Sequence, residues 1–285
     1  MTDQPDGRSW TKAGSWYPSD PTKLSARVKR LLDNTDAKVE GKAYALLTPH
    51  AGLEYSGPTA AEVWARADVG EVVIILAPNH FREGARMAIW DGGPWHIPGH
   101  AFATDKDLTA RALHHMPALT PSRRAFMHHE VEMQLPFLAE RRPDARLVVI
   151  GLKDNEKGHF RGVSPAAISN LGDGLAAFLQ ELEDAGTDFT LVITVDLTHY
   201  QPLAVAEEHD PVVLEAIQNY DVDKIYSYVK SEKVTTCAEF PAAVGMHALA
   251  KLGKKPMQWT TLGSNLHKSK DPESVVGYPG GVLWK

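Results

Sequence analysis

Four stretches of the chain are almost continuously apolar, and this pattern predicts the central part of the fold. They run over Ala43–Pro49, Val72–Ala77, Ala145–Leu152 and Asp188–Asp196. Because apolar and polar residues do not alternate within them, they are typical of strands that are covered on both faces of a sheet. Segments with helical periodicity separate them, which favours parallel pairing. We therefore predict an α/β fold with a largely parallel central sheet flanked by helices.

The remaining chain supplies the predicted helices and some shorter strands. Helices are expected at 21–33, 59–67, 106–115, 129–141, 164–184 and 241–252, with two more between the fourth apolar strand and residue 230. Further strands are expected within 85–95, 257–263 and 274–284. No internal repeat or Pro/Ser-rich linker divides the chain, so residues 16–285 are predicted to form a single domain. Residues 1–15 are polar and rich in Gly, Pro and Asp, and we expect them to form a flexible arm.

Composition narrows the classes of protein that fit the sequence. The chain has 285 residues and a formal net charge of −6, which argues against nucleic-acid binding. The N-terminus lacks the apolar core of a secretory signal, and no apolar run is long enough to cross a bilayer. A cytoplasmic protein without a membrane partner is therefore expected. Cys237 is the one cysteine, so intrachain disulfides and cysteine-rich zinc sites are excluded.

Polar residues that can bind metal follow three of the predicted strands. His50 comes after the first strand, His80 after the second, and Asp196 with His199 after the fourth. In open α/β sheets, ligands bind outside the carboxyl ends of the strands. One such histidine alone is more simply a loop or cap residue, but matched positions after neighbouring strands favour a shared site. Imidazole is a common ligand of iron, copper and zinc.

Two further segments have both a functional and a purely structural interpretation. In the predicted helix at 129–141, His129 and Glu132 would share a face that could point to the site. Alternatively, Glu130 and Glu132 would only stabilise the first turn of the helix. A metalloprotease motif is excluded because Met133 stands where its second histidine would be. Cys237 is either a small buried apolar residue or, ahead of a helix N-terminus, a thiolate that completes a metal site. Asp196 either orients His199 or caps the next segment.

Several motifs in a fixed order resemble the Memo family, whose bacterial and archaeal members are called AmmeMemoRadiSam system protein B. They are WYP from Trp16, PHAGLEYSG from Pro49, APNH, HHEVEMQLPFL, VDLTHY, the Cys237 segment and SVVGYPGG ending at Gly281. The resemblance spans almost the whole chain. It implies a fold similar to that of the class III extradiol ring-cleaving dioxygenases, of the B-subunit type.

The resemblance also implies a non-haem metal site and names its residues. The metal ligands would be His50, His80 and Cys237, with Fe(II) as the expected ion and copper as the alternative. His129, followed by Glu132, would be the pocket histidine. Asp196 and His199 would be the acid/base pair, with Asp196 orienting His199. Glu239 is a further candidate, because the ring-cleaving relatives use a glutamate as third ligand.

The expected function is a metal-dependent oxidoreductase, similar to a dioxygenase, that acts on a small substrate, for example an aromatic one. The rival hypothesis is a non-catalytic protein that uses the same pocket to bind a peptide or a protein partner. The family name implies a radical-SAM protein and an AMMECR1-like protein as such partners. A zinc hydrolase with the same ligands is a third hypothesis, weakened because no zincin-type base accompanies it.

Overall fold

The computed structural model describes residues 7–80, 84–153, 163–231, 233–237, 239–254, 260–266 and 273–285. The strands are β1 Gly41–Thr48, β2 Ala67–Asp68, β3 Val72–Pro78, β4 Met87–Ile89, β5 Trp95–Ile97, β6 His100–Phe102, β7 Thr120–Pro121, β8 Arg146–Leu152, β9 Phe189–Thr194, β10 His199–Gln201, β11 Thr260–Leu266 and β12 Val275–Trp284. The α-helices are α1 Pro21–Asp33, α2 Gly57–Arg66, α3 Lys106–His115, α4 Leu135–Arg141, α5 Pro165–Asp184, α6 Leu203–Gln218, α7 Val222–Lys230 and α8 Glu239–Lys251.

One sheet runs through the molecule in the order β10-β12-β1-β9-β3-β8-β4-β7, with β11 on β12 and β2 on β1. Its centre, β1-β9-β3-β8, consists of parallel strands. β12 pairs antiparallel with β1, and β4 pairs antiparallel with β8. The four predicted apolar strands are therefore the parallel centre, and the prediction of a single α/β domain with a largely parallel sheet is confirmed.

Both faces of the central strands are buried, which explains their continuous apolar sequence. Along β3, Val72, Ile74 and Leu76 face the core that contains residues of α3, α5 and α8. The intervening residues, Val73, Ile75 and Ala77, face a second core that contains residues of α1, α2 and α4. Alternate side chains of one strand point to opposite faces, so a strand between two helical layers has no polar face.

Two elements differ from the prediction, and a third lies partly outside the described residues. The helix expected at 129–141 begins only at Leu135, with Pro136 in its first turn, and residues 129–134 form turns instead. Proline favours that position because the first helical N–H groups have no acceptor within the helix. The segment 85–95 contains only β4 and the start of β5. Of the strand expected at 257–263, residues 257–259 lie outside the described residues, and β11 covers the rest.

None of the helices in the described part of the chain is long and apolar enough to span a membrane.

Candidate metal centre

The carboxyl ends of neighbouring parallel strands bring the candidate residues to one edge of the sheet. β9 lies between β1 and β3. Thr48 of β1 pairs with Thr194 of β9, so His50 and Asp196 each lie two residues beyond the same pair. The backbone N–H of His50 donates to Oδ1 of Asp196 across 2.9 Å. This hydrogen bond fixes the position of His50 at the end of β1.

The imidazole of His50 is buried and has its two nitrogens in different surroundings. Nδ1 lies 2.6 Å from Oγ1 of Thr194, and Nε2 lies 3.2 Å from Sγ of Cys237 and 3.7 Å from Oδ2 of Asp196. Burial holds the pKa of His50 well below its usual value, and neighbouring His80 and His129 lower it further. The ring is therefore neutral, as a metal ligand must be. With the proton on Nδ1, the lone pair of Nε2 faces the thiol.

Cys237 lies close to the start of α8, but the helix N-terminus does not determine the pKa of its thiol. Sγ is within 3.8 Å of the carbonyl oxygen of Asp196. Burial raises the pKa of the Cys237 thiol well above its usual value, and the carboxylate of Asp196 raises it further. In the metal-free chain, the nearby helix N-terminus therefore does not lower the pKa of the thiol below its usual value. A bound cation would supply the positive charge that the thiolate needs.

His80 joins two groups of side chains that could hold a metal ion. Ligand atoms of His50, His80 and Cys237 all lie within 4.8 Å of one another. The same spacing holds for a second group, His80 with His128, His129 and Glu130. Within the chain as described, neither group contains Glu239, which is buried at the start of α8.

The buried carboxylate of Glu130 orients His80. Nδ1 of His80 hydrogen-bonds to Oε1 of Glu130, and Nδ1 of His128 lies 2.6 Å from the same oxygen. Burial alone would raise the pKa of Glu130, but the hydrogen bonds from His128 and His80 hold it well below its usual value. The ionised carboxylate accepts a hydrogen bond from the N–H at Nδ1 of His80, which leaves the lone pair of Nε2 for a metal. Carboxylate–histidine–metal arrangements of this kind are common in proteins.

His129 lies on the wall of a cavity next to this centre. The cavity has a volume of about 460 Å³. Four histidines line it, His50, His80, His129 and His199, together with the aromatic residues Trp16, Tyr55, Tyr200 and Tyr278. The ring centroids of Trp16 and His129 are 4.3 Å apart. Burial lowers the pKa of His129 to about 3, so its imidazole is neutral at physiological pH.

Glu132 anchors the N-terminal segment and has no direct contact with the centre among its hydrogen bonds in the described chain. Its carboxylate accepts hydrogen bonds from the backbone N–H groups of Thr11 and Lys12, at 2.8 Å each for the shortest contacts, and from the hydroxyl of Tyr17 at 2.6 Å. Nη2 of Arg8 donates to it across 3.2 Å. Residues 7–15, expected to belong to a flexible arm, therefore have specific partners, and they carry Trp16 to the cavity.

His199 is oriented by backbone carbonyls and not, as the resemblance implied, by Asp196. Nδ1 of His199 lies 2.7 Å from the carbonyl oxygen of Leu197 and 3.0 Å from that of Thr235. Carbonyl oxygens only accept, so Nδ1 carries a proton and Nε2 is the nitrogen available for chemistry. Asp196 instead holds the backbone of His50. Burial raises the pKa of Asp196 to about 6, although nearby His199 and the N–H of His50 lower it.

The structure thus brings together His50, His80 and Cys237. His129, His199 and Asp196 line the adjoining cavity, and Asp196 also accepts the backbone hydrogen bond from His50. Sequence reasoning missed Glu130 and His128. The signal was the tripeptide His128-His129-Glu130, but assigning it to a regular helix turned Glu130 into a first-turn acid. In the observed turn, all these side chains reach the same cluster.

Several known proteins are similar to this chain over most of its length. The family model described as Memo-like protein matches residues 8–282. A MEMO1 family protein of Aquifex aeolicus is 30% identical over 275 residues, covering 95% of this chain and 97% of that protein. A MEMO1 family protein of Metallosphaera sedula is 29% identical, covering 93% and 95%. The crystal structure of an uncharacterized Escherichia coli K12 protein matches with a TM-score of 0.56 at 12% identity, covering 84% of this chain and 99% of that one, which shows the fold alone.

Proposed function

Because the chain belongs to the Memo family, we propose that it is a metal-dependent oxidoreductase in which His50, His80 and Cys237 hold the metal. Fe(II) is the proposed ion, with copper as the alternative. The observation that carries the proposal is the convergence of these ligand atoms within 4.8 Å at one edge of the sheet. A thiolate with two imidazoles is a soft ligand set, which suits redox-active ions and is uncommon for magnesium or calcium.

The geometry of this group fits a first-row transition metal. Metal–nitrogen bonds of about 2.0 Å and metal–sulfur bonds of about 2.3 Å, at a tetrahedral angle, separate the two ligand atoms by about 3.5 Å. The observed distance from Nε2 of His50 to Sγ of Cys237 is 3.2 Å. Each histidine also has a partner for its other nitrogen, Thr194 for His50 and Glu130 for His80. Glu130, which only accepts, selects the tautomer of His80 in which Nε2 can bind the ion, and the Thr194 hydroxyl is compatible with the same tautomer of His50.

The chain's own groups would bind the substrate and move its protons. When bound, the metal supplies electron transfer and polarises an oxygen atom of a substrate. His199 has its Nδ1 proton fixed by two carbonyls, so Nε2 accepts or returns a proton at the substrate. His129 stays neutral next to Trp16 and supports substrate oxygen atoms by hydrogen bonding. The aromatic lining of the cavity favours a small aromatic substrate.

Metal analysis of protein purified anaerobically without chelator tests this proposal. Wild type is expected to contain stoichiometric iron or copper, and His50→Ala and Cys237→Ser are expected to lose it. His100→Ala is a matched control, because His100 lies in the separate β5–β6 hairpin and bonds to the carbonyl of Pro143. Oxygen uptake with catechol-like compounds then tests the activity. Retention of full iron or copper in His50→Ala would overturn the assignment.

A second candidate function is the binding of a peptide or protein partner, such as a radical-SAM or AMMECR1-like protein. The observation that favours it is the exposure of two aromatic side chains of the cavity, Tyr55 at 48% and Tyr200 at 73%. Exposed tyrosines are frequent at recognition surfaces. If binding is the function, Tyr200→Ala weakens partner capture whereas His199→Ala leaves it unchanged. If catalysis is the function, His199→Ala abolishes turnover.

A further inference from the structure

We propose that His128, His129 and Glu130 form a second cation site, which binds a borderline divalent ion such as Zn²⁺ beside the centre of His50, His80 and Cys237. The ligand atoms of these three residues and of His80 lie within 4.8 Å of one another. Two imidazoles and a carboxylate, with a position left open, form a recognised set for zinc and for non-haem iron. The two sites would adjoin at His80.

The distances around Glu130 lie within about 1 Å of those in a zinc coordination sphere. Oε1 of Glu130 lies 2.6 Å from Nδ1 of His128 and 3.8 Å from Nδ1 of His129. Zinc bonds of about 2.0 to 2.1 Å to nitrogen or oxygen at a tetrahedral angle separate ligand atoms by about 3.4 Å. The observed distances lie on either side of this value. To hold one ion, the first distance would lengthen by about 0.8 Å and the second would shorten by about 0.4 Å.

His129 provides the independent observation that points to a ligand. The residue is only 7% exposed, and its buried Nδ1 has no hydrogen-bond partner among the residues that the structure describes. A histidine–glutamate hydrogen-bond network accounts for His80 and His128, which both bond to Glu130. It does not account for a third imidazole whose nitrogen is left unsatisfied in the same cluster, because buried polar atoms normally have a partner. A cation at this point would satisfy that nitrogen.

The backbone that carries these ligands is held in place before any ion binds. Nε of the buried Arg8 donates to the carbonyl of Phe126 across 2.6 Å, and its Nη2 donates to the carbonyl of His128. The N–H of Met133 donates to the carbonyl of His129 across 2.8 Å. A preorganised turn lowers the conformational cost of gathering ligands from consecutive positions.

The two sites differ in ligand chemistry. They are linked through Glu130, which is a ligand of the second site and orients His80 of the first. The second site has nitrogen and oxygen ligands only, so it favours a borderline divalent ion, whereas Cys237 gives the first site its softer character. One oxygen of Glu130 accepts from Nδ1 of His80 while the carboxylate binds the second ion. This arrangement uses Nδ1 of His129 and leaves its other nitrogen for the cavity that the ring lines.

Zinc stoichiometry of metal-free protein, equilibrated with Zn²⁺ and passed through a desalting column, tests the second site. We expect two zinc ions per chain in wild type, one in His128→Ala, one in Cys237→Ser and none in the double variant. His128→Asn, which can still hydrogen-bond to Glu130, is expected to lose the same ion as His128→Ala. His100→Ala is the matched control and should retain both ions. Unchanged thermal unfolding of each metal-free variant establishes that the fold is intact.

The outcomes separate this inference from the proposed function. If His128→Ala binds as much zinc as wild type, or the double variant as much as Cys237→Ser, the second site is overturned. A single ion that survives Cys237→Ser but not His128→Ala upholds the second site and contradicts the centre of His50, His80 and Cys237. A single ion that is lost only in Cys237→Ser overturns the second site and supports the centre of His50, His80 and Cys237.

Discussion

The replacement Glu132→Gln tests the role of the N-terminal segment most sharply, because it removes a charge without changing the shape of the side chain. Glu132 is 1% exposed and accepts hydrogen bonds from Thr11, Lys12 and Tyr17. It also pairs with Arg8, which is 3% exposed, at 3.2 Å. The glutamine amide would turn an N–H₂ group towards N–H donors and leave the guanidinium of Arg8 buried without its counter-charge.

The expected loss follows from the burial of this ion pair. Removing one partner of a buried ion pair typically destabilises a protein by about 3 to 5 kcal/mol, because the other charge stays buried without compensation. The exposed pair Arg27–Glu54 has nearly the same length, 3.1 Å, with Glu54 79% exposed, and provides the matched control. Glu54→Gln is expected to change the free energy of unfolding by about 0 to 1 kcal/mol. The comparison thus isolates burial from ion-pair distance.

Urea unfolding of both variants and wild type measures this difference. Glu132→Gln should lower the free energy of unfolding by about 3 to 5 kcal/mol, and native-state trypsin cleavage after Lys12 should accelerate because residues 7–15 detach. Glu54→Gln should alter neither measurement appreciably. A loss in Glu132→Gln as small as that in Glu54→Gln, with unchanged cleavage, would refute the conclusion that Glu132 anchors this segment.

Two other variants test residues of the centre, and a third tests a close packing contact outside it. Because burial lowers the pKa of His129 to about 3, against about 6.5 unfolded, the free energy of unfolding of metal-free wild type should fall by about 2 to 3 kcal/mol through this residue between pH 7 and pH 4.5. His129→Asn should lack this part of the loss in urea unfolding, whereas an unchanged pH profile would contradict it. Glu130→Gln should weaken metal binding by His80 about 10- to 100-fold in chelator competition; unaltered affinity would show that Glu130 does not orient His80. A Cβ at Gly277 would lie 2.1 Å from Oδ2 of Asp210, so Gly277→Ala should cost about 1 to 3 kcal/mol of unfolding free energy, and a neutral effect would argue against this close approach.

Much of the fold could be predicted because burial on both faces leaves a direct mark on the sequence. The continuous apolar runs of β3 and β8 identify central parallel strands without further information. The start of α4 was harder to predict from the sequence, because the acids and the amide at 130–134 are compatible with a helix. Their side chains instead have tertiary partners, as when Nε2 of Gln134 donates to the carbonyl of Pro49 across 2.8 Å. Such long-range contacts leave no local pattern.

Some residues of the candidate site could likewise be predicted from the sequence, and others could not. His50, His80 and Asp196 could be predicted because parallel strands end at one edge, and the position after a strand is visible in sequence. The role of Glu130 could not, because it depends on a turn that brings residue 130 to His80 from 50 residues away. The protonation of Cys237 also depends on tertiary structure, since burial among Asp196 and His50 outweighs the nearby helix N-terminus.

Cobalt binding tests the central claim, that His50, His80 and Cys237 hold a metal, most directly. Co²⁺ added anaerobically to reduced, metal-free protein gives a thiolate-to-metal charge-transfer band only when a cysteine binds it. Cys237 is the one cysteine of the chain, so any such band reports on this centre alone. The account predicts the band in wild type and in His128→Ala, and its loss in His50→Ala and Cys237→Ser. Absence of the band in wild type, or its full retention in His50→Ala, would contradict the account.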